Sequence, residues 1–142
     1  MGWLVLDPSD AGDPNRGALE RRLAGPAWNR AGAELTPARD SYGLIASARN
    51  GDRDAATVVA RMGRDLGAAI AGAGSLVDPE VVVVAGGLAA AFDLLHPAIV
   101  AAIERWGSPQ LRRVPVRPAA LGADAGLVGG GYAAREGDGA WW

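Results

Sequence analysis

The feature that most constrains the fold is the run Val81–Val84, set between Asp78-Pro79 and Gly86-Gly87. Four β-branched residues in a row, with no apolar/polar alternation, predict a strand buried on both faces, the pattern of a parallel sheet. Helical patterns lie on either side, so the strand is expected at the centre of an α-β-α unit. Fully burying a valine is worth roughly 1.5–3 kcal/mol, and the run is therefore expected to anchor the core. Gly86 and Gly87 fall at its carboxyl end, where open α/β sheets place ligands. A backbone without Cβ atoms also lets a ligand approach closely there.

Upstream of this strand lies the longest periodic segment. Asp52 and Asp54 favour a helix N-terminus. Ala55, Val58, Val59, Met62, Leu66, Ile70, Ala73 and Val77 keep helical spacing. Gly63, Gly67, Gly72 and Gly74 each weaken such a helix by roughly 1 kcal/mol relative to Ala, so their presence predicts a close neighbour. After the strand, Leu88–Trp106 is again helical, with Phe92, Leu95, Ile99 and Ile103 on one face. Pro97 inside it predicts a kink or a two-part helix.

The flanks are less regular. Gly2–Asp7 reads as a short strand, residues 8–17 as a loop, Ala18–Leu23 as a helix interrupted at Gly25-Pro26, and Trp28–Leu35 as another short helix. Thr36-Pro37 is a turn or helix start, and Ser41–Ser47 offers only a few apolar residues before the turn Asn50-Gly51-Asp52. Arg113–Ala119 reads as a strand that Pro115 and Pro118 demote to an edge. Ala123–Ala134 is a weak last helix, and the tail ending Trp141-Trp142 is expected to fray.

Length and composition exclude several classes of function. A chain of 142 residues is one domain by size. Its net charge is −2, and all 14 basic residues are Arg, so no global signal points to nucleic acid or to a membrane. The absence of Cys removes disulfides and thiolate metal sites. No stretch is long enough to cross a bilayer, and no signal peptide is evident, so a cytoplasmic location is the default expectation.

The lone histidine, His96, precedes Pro97 in an amphipathic helix and reads as a surface or boundary residue. No nucleophile–histidine pair is available, and without Lys there is no Walker-type loop. Gly129–Gly131 lacks a charged partner for a phosphate. Arg112, Arg113 and Arg117 lack interleaved aromatics and read as a solvated edge. Asp13, Glu20 and Asp40 are scattered carboxylates. Glu20, taken alone, is an acid in the first turn of a helix.

The order of these pieces carries a resemblance. Asn15-Arg16-Gly17-Ala18-Leu19-Glu20 is followed by Asn50-Gly51-Asp52, Leu66-Gly67-Ala68-Ala69-Ile70, Asp78-Pro79-Glu80, the valines with Gly86-Gly87-Leu88, and finally Leu121–Gly129. Nearly the whole chain resembles the C-terminal portion of the ROK family of bacterial sugar kinases and sugar-responsive repressors. The resemblance implies an α/β fold, an incomplete, helix-rich C-terminal domain of the actin/hexokinase-like (ribonuclease-H-like) architecture spanning residues 1–142. It implies transfer of a phosphoryl group from ATP, with Mg, to a hexose hydroxyl. Gly86 and Gly87 would then be nucleotide-binding. Glu20 would be substrate-binding, since a carboxylate can accept from two neighbouring hydroxyls at once.

The sequence also departs from that family. The family's Glu-x-Gly-His motif would end at Met1-Gly2-Trp3, which leaves Trp3 at the histidine position. In its zinc loop, C-x-C-G-x-x-G-C-x-E, Ala11, Asp13 and Ala18 replace the cysteines and Pro14 the first glycine. Structural zinc takes four ligands, so no zinc is expected. The phosphate-binding loops and the catalytic aspartate have no counterpart in these 142 residues. No catalytic residue is therefore assigned, and no turnover is expected from this segment alone. Three readings follow: a kinase segment, the sugar-sensing segment of a repressor, and a non-catalytic module that associates with itself or with a completing partner chain.

Overall fold

The structure, a computed structural model, describes residues 2–35 and 40–136. The Thr36-Pro37 turn and the tail from 137 onward lie outside the described residues. The fold is built on two helices. α4 (Arg53–Val77) starts at Asp52, whose carboxylate accepts the N–H groups of Asp54 and Ala55. These are donors that the first turn of any helix leaves unpaired. It ends at Asp78, left-handed at φ 45°, whose N–H donates to the Gly74 carbonyl. α5 (Phe92–Trp106) packs along it and stops at Gly107.

The glycines of α4 account for how closely the two helices approach. A Cβ at Gly63 would lie 2.8 Å from the Leu95 carbonyl oxygen and 2.9 Å from the Ala98 Cβ. At Gly67 it would lie 2.6 Å from both the Ile99 oxygen and the Ala102 Cβ. Gly74 makes the same room for Leu111, 2.7 Å away. Gly72, by contrast, faces open space. The expected close neighbour is thus α5 against Gly63 and Gly67, and the turn that follows α5 against Gly74.

Around this pair, Leu44, Val59, Leu95, Ile99 and Leu111 are the largest fully buried side chains. α1 (Ala18–Leu23), α2 (Gly25–Leu35) and α3 (Ser41–Arg49) close the other side of α4. α3 arises where the sequence offers only a few apolar residues. Asp40 caps it by accepting from the Gly43 N–H, and Leu44, Ile45 and Ala48 turn inward at helical spacing. Arg49 at its end makes a two-pronged ion pair with Asp93 of α5 and donates to the Ala90 carbonyl.

The sheet is small. β1 (Val82–Val84) and β2 (Val116–Pro118) run parallel, with Val82 opposite Val116 and Val84 opposite Pro118. Their connection passes through α5, so the expected α-β-α unit is present. The valines are not, however, buried on both faces. Val84 is 5% exposed, whereas Val83 is 56% exposed. A strand is covered twice only when layers lie on both sides of it, and the described residues supply one helical layer and one neighbouring strand. The core is therefore anchored by α4 and α5, not by the valine run.

Four further expectations are corrected. Gly2–Asp7 forms turns and no strand, because no neighbouring strand is present for it to pair with among the described residues. Residues 86–91 form a 3₁₀ turn before α5, which starts at Phe92. α5 continues through Pro97 as one helix, not two parts, with the Asp93 carbonyl left without its backbone donor from that residue. β2 is shorter than the predicted strand, since Leu111–Arg113 is a 3₁₀ turn. The last helix, α6 (Ala125–Glu136), is exposed along its length.

Candidate functional site

β1 ends at Val84. Ala85 remains extended, and Gly86 turns into the left-handed region at φ 68°. A side chain is disfavoured at Gly86 by that backbone angle alone. Gly87 is different. Its φ is not left-handed, and a Cβ built there would meet nothing within 4 Å. Both glycines open onto a cavity of about 560 Å³. Its far wall comes from the α1–α2 junction (Leu23, Ala24, Gly25, Trp28) and from α3 (Ser41, Tyr42, Ile45).

Trp28 is 4% exposed, and its indole N–H donates to the Leu23 carbonyl at 3.1 Å, so the ring is fixed as a floor. Tyr42 is 77% exposed, on the same wall. The lining is mainly apolar and includes the hydroxyl-bearing residues Ser41 and Tyr42, which is the usual make-up of a small-molecule pocket. The Arg49–Asp93 pair joins the wall carried by α3 to the turn that carries the glycines. It also holds the Asp93 carboxyl below its ordinary value, chiefly by the hydrogen bond from Arg49.

Glu20 lies elsewhere. It is the third residue of α1, exposed, with its backbone N–H donating to the Gly2 carbonyl. It lines a separate cavity of about 330 Å³ with Arg16, Arg21 and Arg30. The two cavities share Ala24 as a common wall residue. The sequence-predicted nucleotide and sugar residues are thus neighbours across the α1–α2 junction, and each faces its own opening.

The loop expected to correspond to a zinc loop does not offer a zinc's ligands. Trp3 is 66% exposed, Ala11 and Ala18 carry no donor atom, and Asp13 accepts from the Asn15 N–H. Among the described residues no group of three or more His, Cys, Asp or Glu side chains could hold a metal. This donor set does not fit a structural zinc.

The other residues singled out from sequence take structural places. His96 is half-buried against the Phe92 ring, 4.9 Å between centroids. Arg112 donates to the Gly107 carbonyl, while Arg113 and Arg117 are exposed. Gly129–Gly131 lie inside α6. Asp40 is the cap of α3. Trp28, Ser41 and Tyr42 were not visible from sequence as cavity residues. The Asp40 cap followed by Leu44, Ile45 and Ala48 was the available signal for α3, and α3 is what carries Ser41 and Tyr42 to the cavity.

The model of the ROK family matches residues 1–136. Kanosamine kinase of Amycolatopsis mediterranei is 36% identical over 118 residues, 80% of this chain and 38% of that protein. A ROK family glucokinase from Streptomyces griseus, solved with glucose and AMPPNP, superposes with a TM-score of 0.81 at 28% identity. That match covers 96% of this chain and 51% of the glucokinase. A ROK family transcriptional regulator, a homolog of the E. coli MLC protein, gives a TM-score of 0.70 at 25% identity, over 82% of this chain and 33% of the regulator. The chain thus spans about half, or less, of the proteins it matches. Its helix-rich parallel α/β arrangement is that of the actin/hexokinase-like architecture of the ROK hexokinases. With the glycine pair at the strand end, the helix pair behind it and the family match over nearly every residue, the chain belongs to the ROK family.

Proposed function

We propose that the cavity beside Gly86 and Gly87 receives the adenosine side of ATP, and that Glu20 faces hexose hydroxyls across the α1–α2 junction. One observation carries this reading. Gly87 is neither left-handed nor crowded, so nothing within the described residues requires a glycine there. The lack of a side chain matters to whatever enters the cavity. A flat heteroaromatic base suits a space floored by an indole ring and lined mainly by apolar groups. The S. griseus glucokinase, solved with glucose and AMPPNP, supports the same pairing of ligands.

Within this reading the 142 residues, taken alone, bind without turning over. Phosphoryl transfer depends on phosphate cradles, bound metal and a base to orient the attacking hydroxyl. When bound, Mg would neutralise charge on the phosphates, and no side chain around the cavity is assigned to hold it. The purified chain, titrated calorimetrically with ADP and then assayed with ATP, magnesium and hexoses, tests both halves. Measurable ADP binding that Gly87→Val abolishes is expected. Turnover above background would overturn the second half, and no ADP binding the first.

The likeness to a ROK transcriptional regulator supports a second reading, a sugar-sensing segment. A hexose that raises the melting temperature of a chain indifferent to ADP would favour it. Exposed Val81 just before β1 and Val83 within it, and Leu127 and Tyr132 on α6, support association with another copy or a completing chain. That reading predicts a melting temperature that rises with protein concentration.

A further inference from the structure

Residues 2–17 make a closed loop. At its base the Gly2–Trp3 backbone crosses directly over Gly17, where a Cβ would come within 2.7 Å of the Trp3 nitrogen. The Gly2 carbonyl also accepts the Glu20 N–H at 3.1 Å. Compact surface loops with adjoining ends are held by their own side chains, and here those side chains recur at a fixed interval. Asp7 accepts from the Ser9 N–H, Asp10 from the Gly12 N–H, and Asp13 from the Asn15 N–H, each within 2.8–2.9 Å. An aspartate that binds the backbone two residues ahead makes a turn out of its own side chain. Three such turns, three residues apart, fold the chain back from Asp7 to Asn15.

Two adjacent arginines of α1 then fasten the loop to the body. Arg21 pairs with Asp10 and donates to the Arg16 carbonyl, and the Arg21 and Asp10 side chains are only 21% and 19% exposed. Arg22 reaches Asp7 at 3.6 Å on one side and Asp65 of α4 at 3.2 Å on the other. It thereby ties loop, α1 and α4 together.

We propose that this aspartate-turn ladder, clamped by Arg21 and Arg22, folds the loop without a metal ion and serves as the positioning device for α1 and its Glu20. The ladder occupies the stretch where the zinc ligand positions stand as Trp3, Ala11, Asp13 and Ala18, a set that does not fit zinc. Charge and backbone hydrogen bonds do here what coordination would do, through residues that flank Glu20 in sequence. The inference does not depend on ligand binding and stands or falls separately from the nucleotide reading.

The test uses the whole chain. Its melting temperature is expected to be the same in EDTA as in added zinc chloride; a fall in EDTA would overturn the proposal. Amide hydrogen exchange followed by NMR then reads the ladder directly. Protection at Ser9, Gly12 and Asn15 is expected in the wild type, and its absence would count against the ladder. Asp10→Ala removes both the turn and the arginine contact, and is expected to speed exchange at Gly12 about three- to tenfold. Asp10→Asn keeps an acceptor for the Gly12 N–H while discharging the Arg21 pair. It is expected to preserve most protection at Gly12 while loosening the Glu20 amide. Equal exchange in Asp10→Ala and wild type, with both folded by circular dichroism, would overturn the ladder. An unchanged Glu20 amide in both variants would overturn the positioning role.

Discussion

The α4–α5 pair and the β1–β2 pair are the same kind of object, two regular elements laid side by side, and they are built to opposite standards. Along the helix pair the backbones approach so closely that Gly63 and Gly67 have no room for a methyl group. Leu95 and Ile99 there have no exposed surface. The sheet pair has three residues per strand, prolines at Pro115 and Pro118, and Val83 more than half exposed. The helices satisfy their own backbone hydrogen bonds and need only one apolar face covered. A strand leaves one edge and one face to be completed by something else. The stable part of this chain is thus the part whose requirements are local. The proposed ligand cavity opens where the self-sufficient half meets the incomplete one, since Gly86 and Gly87 follow directly from β1.

If this contrast holds, damage to the helix seam should be severe and damage to the sheet face slight. The largest effect is expected from Leu95→Ala, which leaves a cavity in the best-packed region and should cost about 4 kcal/mol in urea unfolding. Gly67→Ala comes next, at about 2–3 kcal/mol. Its Cβ meets the Ile99 carbonyl at 2.6 Å, and a backbone atom cannot swing aside. A neutral result there would break the claim that glycine sets the helix separation.

Gly86→Ala is expected to cost about 1 kcal/mol through its left-handed backbone, with open space for the methyl group itself. Gly87→Ala, free of that strain, should leave stability unchanged, so the two adjacent glycines separate a folding role from a ligand role. Arg49→Ala should cost a few tenths of a kcal/mol, because the Arg49 and Asp93 side chains are 47% and 57% exposed and such pairs are screened. The folded Asp93 carboxyl titrates below its ordinary value of 3.8. Its contribution is therefore complete above that value and is lost as pH falls through the lower, folded one. The wild-type advantage over Arg49→Ala should accordingly vanish in acid and persist at neutral pH. On the sheet face, Val83→Thr should likewise stay within about 0.5 kcal/mol. A large loss there would mean that the sheet face is covered in solution.

Much of the architecture was legible from sequence. Asp52 at one end of α4 and Asp78-Pro79 at the other bound its length, because caps act within one turn. The glycine spacing announced a close neighbour, because glycine in a helix is costly unless something needs the space. The valine run read as a parallel-sheet strand and the proline-flanked segment as an edge strand, and the two pair in parallel. The α3 helix was less legible, since its few apolar residues form a pattern only once the Asp40 cap is recognised.

What the sequence by itself determined is therefore everything that depends on spacing along the chain: the caps, the helical faces, the glycine seam and the strand-to-glycine turn. Only the tertiary structure decided how deeply each element is covered. The valine run looks like a core strand because burial is inferred from composition, whereas actual burial depends on how many layers surround it. The same holds for the cavity and for the loop. Trp28, Tyr42 and Gly86 line one cavity, and Asp10 finds Arg21, through contacts between segments whose separation in sequence carries no periodic signal.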